Sequence, residues 1–114
     1  MIYKILNQDE WQEFLRAGEF TGSSVDIADG YIHFSTASQV VQTATKHFAG
    51  KDNLVLLEID EQKLGANLKF EPSRGGDLFP HLYGSLSLNE VATNWPLPLN
   101  QQTQQHEFPA EVTL

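Results

Sequence analysis

The chain has 114 residues, of which 40% are hydrophobic and 19% charged, a composition typical of one globular domain with its own core. Fifteen acidic against seven basic residues give a net charge of -8, which opposes binding to nucleic acid. Without cysteine, disulfides, thiolate metal sites and cysteine nucleophiles are excluded. With neither a membrane-length apolar run nor a signal-peptide pattern, we expect a cytoplasmic protein, monomeric and without a membrane partner.

The N-terminal third reads as a strand, a helix and a loop. Residues 2–6 predict a short strand, and Asn7 is a candidate cap for the helix that follows. Gly18 suits the end of that helix. Between Gly18 and Gly30 the apolar density falls, which predicts an ordered loop. Apolar residues recur in the helix at the expected spacing, at Trp11, Phe14 and Leu15.

The middle of the chain predicts two strands around a second helix. Residues 31–35 form a buried strand in this interpretation, and Ser35 and Thr36 offer cap chemistry for an amphipathic helix from Ala37 to Phe48. Residues 53–59 are almost continuously apolar, as expected of a central strand buried on both faces.

The remaining elements close a sheet. Residues 67–71 predict a strand, residues 72–77 a polar, glycine-rich loop, and residues 78–97 two or three further short strands. Residues 101–114 look like a polar, partly ordered tail, so residues 1–100 form a single domain. Strands outnumber helices and the helices come early, which predicts the α+β class.

His33 is the first candidate functional residue. Side chains alternate along a strand, so Tyr31, His33 and Ser35 share one face of the predicted strand. A histidine beside a tyrosine and a hydroxyl can donate or accept hydrogen bonds and titrates near neutrality. That face therefore suits ligand anchoring or proton transfer, and we expect Thr36, directly after Ser35, to contribute to ligand binding as well.

A second histidine and tyrosine pair follows later in the chain. His81 and Tyr83 share a face by the same alternation. Pro80 predicts an edge strand or a bulge, because proline cannot donate to the sheet ladder. We expect these aromatic side chains to line a cleft. The alternative is that both histidines only satisfy buried backbone groups.

The glycine-rich loop of residues 71–77, which precedes His81 and Tyr83, is the third candidate. Arg74 can grip a phosphate or carboxylate, and two glycines let backbone amides approach it. Ser73 adds a hydroxyl, and Glu71 and Asp77 add carboxylates; Glu71 is equally able to pair with Arg74 alone. We predict no metal site, since the histidines lack the spacing of metal ligands, and we interpret His47 and His106 as structural or incidental.

Several segments together resemble a bacterial family of proteins, domain of unknown function 952. The resemblance covers residues 1 to about 100 and rests on the motif from Asp29 to Thr36, on residues 54–60, 71–84 and 96–99, of which the block from Glu71 to Gly84 is the most specific. Members of that family are similar to the ADP-ribosyltransferase fold, a split, curved, antiparallel-rich sheet whose cleft holds NAD in the transferases.

The resemblance also implies roles for particular residues. His33 looks like the histidine that holds the NAD ribose, and Tyr83, with Tyr31 in reserve, like the tyrosine that stacks on nicotinamide. The strand from residue 79 has no carboxylate at the place of the transferase glutamate, so Glu71 or Asp77 would have to supply it. The ligand implied is NAD or an ADP-ribose relative. An enzyme and a non-catalytic sensor or interaction module both stay open.

Overall fold

The computed structural model describes residues 1–113, except for the side chains of Arg74 and Thr113. Its strands form three antiparallel sheets, ordered β4-β1-β5-β9, β2-β8 and β3-β7-β6, which together with a few short helices define an α+β fold. The strands are β1 Ile2–Asn7, β2 Glu19–Phe20, β3 Ile32–His33, β4 Ser35–Thr36, β5 Leu54–Ile59, β6 Leu68–Pro72, β7 Leu78–Leu82, β8 Leu86–Ser87 and β9 Val91–Leu97. The helices are α1 Gln8–Ala17, α2 Ser24–Asp29, α3 Val40–His47 and α4 Ala110–Thr113.

The larger sheet separates two groups of core residues. β5 lies between β1 and β9, as the apolar run predicted, and it pairs with β1 along six positions. Because side chains alternate along β5, Leu57 joins the core that contains Phe14 and Ile32, whereas Leu56 joins the one that contains Val40 and Val112. The sheet is therefore covered on both faces.

Helix α1 matches its prediction closely. The Asn7 side chain accepts a hydrogen bond from the backbone N–H of Glu10, and the Glu10 carboxylate accepts one from the backbone N–H of Asn7. Gly18 ends the helix at a φ of 76°, which favours glycine. Trp11 and Phe14 are buried and pack edge to face, while Leu15 is largely exposed.

The predicted loop between Gly18 and Gly30 is wrong in part, because it contains β2 and helix α2. Helix α2 was not apparent from apolar periodicity because it places Asp26 inward and leaves Val25 and Ile27 exposed. Its capping box joins Ser23 to Asp26, and Gly30 ends it at a φ of 89°. Polar contacts, not an apolar stripe, therefore hold this helix in place.

The prediction of one continuous, buried strand from residue 31 to residue 35 is also wrong. The segment divides into β3 and β4, which lie at the edges of two different sheets. Phe34, between them, is buried in the core. Because Ser35 and Thr36 pair with β1, the next helix begins only at Val40, later than predicted. The segment joins the two sheets instead of crossing the middle of one.

Pro80 lies in β7, the middle strand of the three-stranded sheet, and not at an edge as predicted. The Phe34 N–H donates to the Pro80 carbonyl over 2.9 Å, so Pro80 faces the β3 side of the ladder. Proline has no N–H to return to Phe34, and β3 ends one residue earlier, at His33. The N–H that Pro80 lacks is therefore not needed, because the pairing of β3 with β7 stops at this point.

The C-terminal residues continue into the second core. Leu99 and His106 form an isolated bridge, and His106 Nε2 lies 2.7 Å from the carbonyl of Lys51. Val112 of α4 is buried against β1 and α3, with Phe108 packed beside it. Polar residues from 101 to 105 are exposed, whereas this last segment contributes apolar side chains to the interior.

Candidate functional site

Four rings meet on one face of the three-stranded sheet, two from β3 and β7 and two from the residues next to those strands. His33 lies opposite His81 in the register, with ring centroids 5.4 Å apart. Tyr31 stacks on His81 at 4.1 Å and lies 5.2 Å from Tyr83. We call these residues, Tyr31, His33, His81 and Tyr83, the ring cluster. The alternation argument predicted both pairs, and the antiparallel pairing of β3 with β7 brings them together.

His33 lies between two carboxylates. Its Nδ1 is 2.6 Å from Asp26 Oδ1, and its Nε2 is 2.9 Å from Asp29 Oδ2. The His33 side chain is 30% exposed, so it remains accessible from solvent. Only a protonated imidazole can donate from both nitrogens at once. The ring can therefore anchor an acceptor or exchange a proton.

Asp26 is wholly buried and accepts from three residues. Lys4 Nζ lies 2.9 Å from its Oδ2, and the backbone N–H groups of Ser23 and His33 donate to it as well. Burial by itself would raise the pKa of Asp26, but the hydrogen bonds and the Lys4 charge outweigh it and hold that pKa well below its usual range. Burial lowers the pKa of the Lys4 ammonium against the attraction of Asp26.

Glu71 connects the other half of the ring cluster. Tyr83 donates its hydroxyl to Glu71 Oε1 over 2.7 Å, and His81 Nδ1 lies 2.8 Å from the same oxygen. The hydrogen bond from Tyr83, followed by that from His81, lowers the pKa of Glu71. In turn, the bond to Glu71 raises the pKa of Tyr83, because it stabilises the neutral phenol.

His81 leaves one polar atom without a partner. Its side chain is 2% exposed, and Nε2 is buried without a hydrogen bond among the residues the structure describes. Tyr31 covers this ring at stacking distance. A buried ring nitrogen of this kind normally finds a partner, so Nε2 of His81 is a candidate atom for a hydrogen bond to a ligand.

Some predicted ligand-binding residues lie away from the ring cluster. The Ser35 hydroxyl is 2.8 Å from that of Thr43 on α3, which places it in the larger sheet. Ser35 therefore does not share a face with Tyr31 and His33, because the strand is broken at Phe34. Thr36 contacts the Ser38 hydroxyl at 3.2 Å.

The glycine-rich loop forms the tip between β6 and β7. Ser73 and Asp77 are exposed there, and the Ser73 N–H donates to the Asp77 carbonyl. Asp77 precedes His81 by four residues, or about 13 Å along an extended strand. The backbone of Arg74 lies in this tip, but its side chain falls outside the described part of the structure. Of the predicted carboxylates, Glu71 is the one that contacts the ring cluster.

Sequence reasoning missed Asp26, Asp29 and Lys4. A predicted loop gave no reason to bring α2 beside β3, and Lys4 stands in a run of apolar strand residues. One signal was available: a lysine inside an otherwise buried strand requires a carboxylate partner. Lys69 was missed as well; it pairs with His81 in the register and its Nζ lies 5.6 Å from the Tyr83 ring centroid.

A cleft of about 350 Å³ adjoins the ring cluster through Tyr31. Gly30 and Gly84 border it, Ile27 adds an exposed apolar side chain, and Thr21 and Ser85 offer hydroxyls. Its size lies at the lower end of the range of small-molecule sites.

Neither a metal centre nor a membrane span was found in residues 1–113. No group of three or more histidine, aspartate or glutamate side chains in the described part of the chain is arranged to hold a metal ion. None of the described helices combines the length and the apolar character that crossing a membrane requires.

Fold and site together define a small α+β protein with a histidine and tyrosine cluster on a short antiparallel sheet, supported by buried and exposed carboxylates. The chain belongs to the family described as protein of unknown function, DUF952, which matches residues 5–94. This confirms the family resemblance of the sequence. No curated protein matches the chain.

Solved structures show the same fold. The X-ray structure of protein CC0527 from Caulobacter crescentus has 44% sequence identity and a TM-score of 0.92, with 99% of this chain and 98% of that chain covered. The solution NMR structure of CC0527 has 48% identity and a TM-score of 0.80 over 89% of this chain and 87% of that one.

Proposed function

We propose that the protein binds a nucleotide-type small molecule, NAD or an ADP-ribose relative, at the ring cluster, on a sheet similar to that of the ADP-ribosyltransferases. The observation that carries the proposal is the packing of Tyr31, His33, His81 and Tyr83 on one face, with hydrogen-bonding carboxylates at both ends. Flat heterocycles stack on aromatic side chains, and ribose hydroxyls pair with imidazole and carboxylate.

The parts of such a ligand have distinct partners on this surface. Tyr83 is 39% exposed and offers a face for a nicotinamide or a base, with Tyr31 beside it. His33 Nε2 reaches a ribose hydroxyl once Asp29 moves aside. The glycine-rich tip contributes backbone amides, Ser73 and Arg74 for a phosphate. Ser35 and Thr36 stay outside this set, because they belong to β4.

The same surface has the groups that ribosyl transfer or NAD cleavage would use. Glu71 lies on the face of the ring cluster, although it comes from β6 and not from the last strand, where the family resemblance would place a transferase glutamate. A carboxylate there stabilises the positive charge that develops on the ribose as nicotinamide leaves. His33 serves as the anchor or proton acceptor in this reaction. Asp77 lies in the glycine-rich tip, one residue before β7 begins.

A non-catalytic ligand sensor is the second candidate. The observation that favours it is that one Glu71 oxygen already accepts from Tyr83 and contacts His81. A carboxylate held in this way orients a binding surface and has less freedom to follow a reaction. In either case we expect a monomeric protein that works in the cytoplasm with a small-molecule partner.

An NMR titration tests binding. Labelled protein is titrated with NAD, ADP-ribose and nicotinamide separately, and we expect shifts at Tyr31, His33, His81 and Tyr83. His33→Ala should weaken binding at least tenfold, and His106→Ala, which changes a histidine of the last segment, should leave it unchanged. Absence of shifts with all three compounds at millimolar concentration contradicts the proposal.

Nicotinamide release separates the two candidates. If the protein is an enzyme, wild type releases nicotinamide from NAD, and Glu71→Gln and His33→Ala each lower the rate, while Asp77→Asn has a smaller effect. If it is a sensor, NAD saturates the site and persists intact for hours. Release that is equal in the wild type and the variants contradicts the catalytic roles of His33 and Glu71.

A further inference from the structure

We propose that Asp26, charge-balanced by Lys4, is the positioning residue of His33: it holds a proton on Nδ1 and thereby presents Nε2 to the ligand. The inference deepens the proposed function and rests on it for the role of Nε2. The contact between Asp26 and the ring does not depend on any ligand: Asp26 Oδ1 lies 2.6 Å from His33 Nδ1.

Helix α2 breaks the normal rule of amphipathic helices. Asp26 is 1% exposed, whereas Val25 and Ile27, its neighbours on the helix, are 56% and 66% exposed. Burying a carboxylate costs several kcal/mol unless charges and hydrogen bonds compensate it, and exposing two aliphatic side chains forgoes burial energy. Local rules are broken in this way chiefly at functional sites. The position of Asp26 is therefore explained by what it holds.

Among the residues that the structure describes, the other partners of the Asp26 carboxylate are all hydrogen-bond donors. Lys4 Nζ lies 3.1 Å from Oδ1 and 2.9 Å from Oδ2, and the backbone N–H groups of His33 and Ser23 complete the set. A carboxylate that accepts from an ammonium and from two amides is ionised and has no hydrogen to give. The hydrogen in its short contact with His33 must therefore sit on Nδ1.

Lys4 fixes the same residue from a second direction. Besides pairing with Asp26, its Nζ donates to the His33 carbonyl over 2.8 Å. The backbone N–H, the backbone carbonyl and the ring of His33 are thus all held by one buried ion pair. Since packing and hydrogen bonds lock supporting groups in this way, they orient a functional side chain within tenths of an ångström.

Asp29, unlike Asp26, is exposed, and a ligand can replace it as the partner of His33. It is 46% exposed, lies at the last position of α2 and is followed by Gly30. A neutral His33 ring with its hydrogen on Nδ1 has only a lone pair at Nε2, which cannot bond a carboxylate. Asp29 must then give way, and a ligand hydroxyl can donate to Nε2. The buried carboxylate positions the ring and the exposed one occupies the ligand's place.

The imidazole tautomer provides a test that needs neither ligand nor variant. Long-range proton–nitrogen NMR spectra of labelled wild-type protein, recorded at alkaline pH with a neutral imidazole, distinguish Nδ1–H from Nε2–H. We expect His33 to be the Nδ1–H tautomer. An Nε2–H tautomer in the folded wild type overturns the proposal.

Paired variants then identify the residue responsible. Asp26→Leu alone strands the Lys4 ammonium in the core, so Lys4→Met with Asp26→Leu removes both charges together. In this double variant, shown to be folded by its amide spectrum, we expect His33 to change to Nε2–H. Asp29→Ala, on the same helix, should keep Nδ1–H. A folded double variant that also keeps Nδ1–H contradicts the role of Asp26.

Ligand binding separates this proposal from the proposed function. With NAD as the probe, the folded double variant should bind at least about tenfold more weakly, the loss of roughly one hydrogen bond, and Asp29→Ala should not weaken binding. Equal affinity of wild type and double variant contradicts the presentation of Nε2. If NAD fails to bind the wild type while the tautomers follow expectation, the positioning by Asp26 is supported and the nucleotide assignment is the part that fails.

Discussion

At the scale of single residues, the contacts of Glu71 determine which groups of the ring cluster are fixed. One oxygen contacts both His81 and Tyr83, so a side chain of β7 and one just after it share the same carboxylate of β6. Their rings are oriented before any ligand arrives. Such preorganisation lowers the entropy cost of binding, because fewer side chains have to be immobilised.

Replacing Glu71 by glutamine should lower the pKa of Tyr83. The ionised carboxylate stabilises the neutral phenol and opposes the phenolate, so a neutral acceptor moves the pKa back toward the ordinary tyrosine value. Carbon NMR shifts of the labelled tyrosine rings, followed against pH, report each group separately. A Tyr83 pKa that does not change would show that Glu71 has no such effect.

Glu58→Gln is the matched control. Tyr3 donates to Glu58 over 2.7 Å, and burial together with that carboxylate raises the pKa of Tyr3 to about 12. The substitution should lower the pKa of Tyr3 and leave that of Tyr83 unchanged. The two substitutions therefore have separate readouts.

Alternation was enough to group each histidine with its tyrosine, because β3 and β7 are extended at His33 and His81. It failed for Ser35, because the chain changes sheets at Phe34. Alternation could not predict that Asp26 contacts His33. Its proximity to His33 depends on a helix with no apolar stripe, which local patterns do not reveal.

At the scale of elements, α1 and α2 are stabilised differently. Helix α1 buries Trp11 and Phe14 and is capped by Asn7, so periodicity and cap agree. Helix α2 has six residues and buries Asp26. Isolated helices of that length are unstable, so α2 depends on Lys4 and His33 to hold it.

Asn7→Ala should destabilise the protein by about 1 kcal/mol. It removes the acceptor for the Glu10 N–H, which is 2.8 Å from Asn7 Oδ1. Urea denaturation followed by circular dichroism measures the change in the free energy of unfolding. The control is Gln12→Ala, an exposed position of the same helix, for which a change within about 0.5 kcal/mol is expected. Equal effects of the two substitutions would contradict the cap.

At the scale of the whole molecule, the C-terminal segment completes the core that contains Val40 and Leu56. Val112 is 3% exposed and packs with Tyr3, Ile5 and Val40 on the face of the larger sheet that is remote from Phe14. The polar residues before it resemble a tail in composition only. The domain boundary near residue 100 remains a prediction that deletion can test.

Deleting residues 101–114 should lower the free energy of unfolding by at least about 2 kcal/mol. The deletion removes Val112 and Phe108 and exposes part of the core beneath them. Thermal and urea unfolding of the shortened protein measure the loss. Glu111→Ala, an exposed position of α4, is the control and should be nearly neutral. Unchanged stability after deletion would support a domain that is complete at residue 100.

The sequence by itself determined the α+β class, the first strand and helix, the central position of residues 54–59 and the face shared by the two histidine and tyrosine pairs. Each of these follows from local periodicity, caps or alternation, which act over a few residues. The tertiary structure decided that residues 31–36 join two sheets and that Pro80 lies in a middle strand. It also brought Asp26 and Lys4 to His33, since an ion pair between residues 22 positions apart is set by packing and not by local pattern.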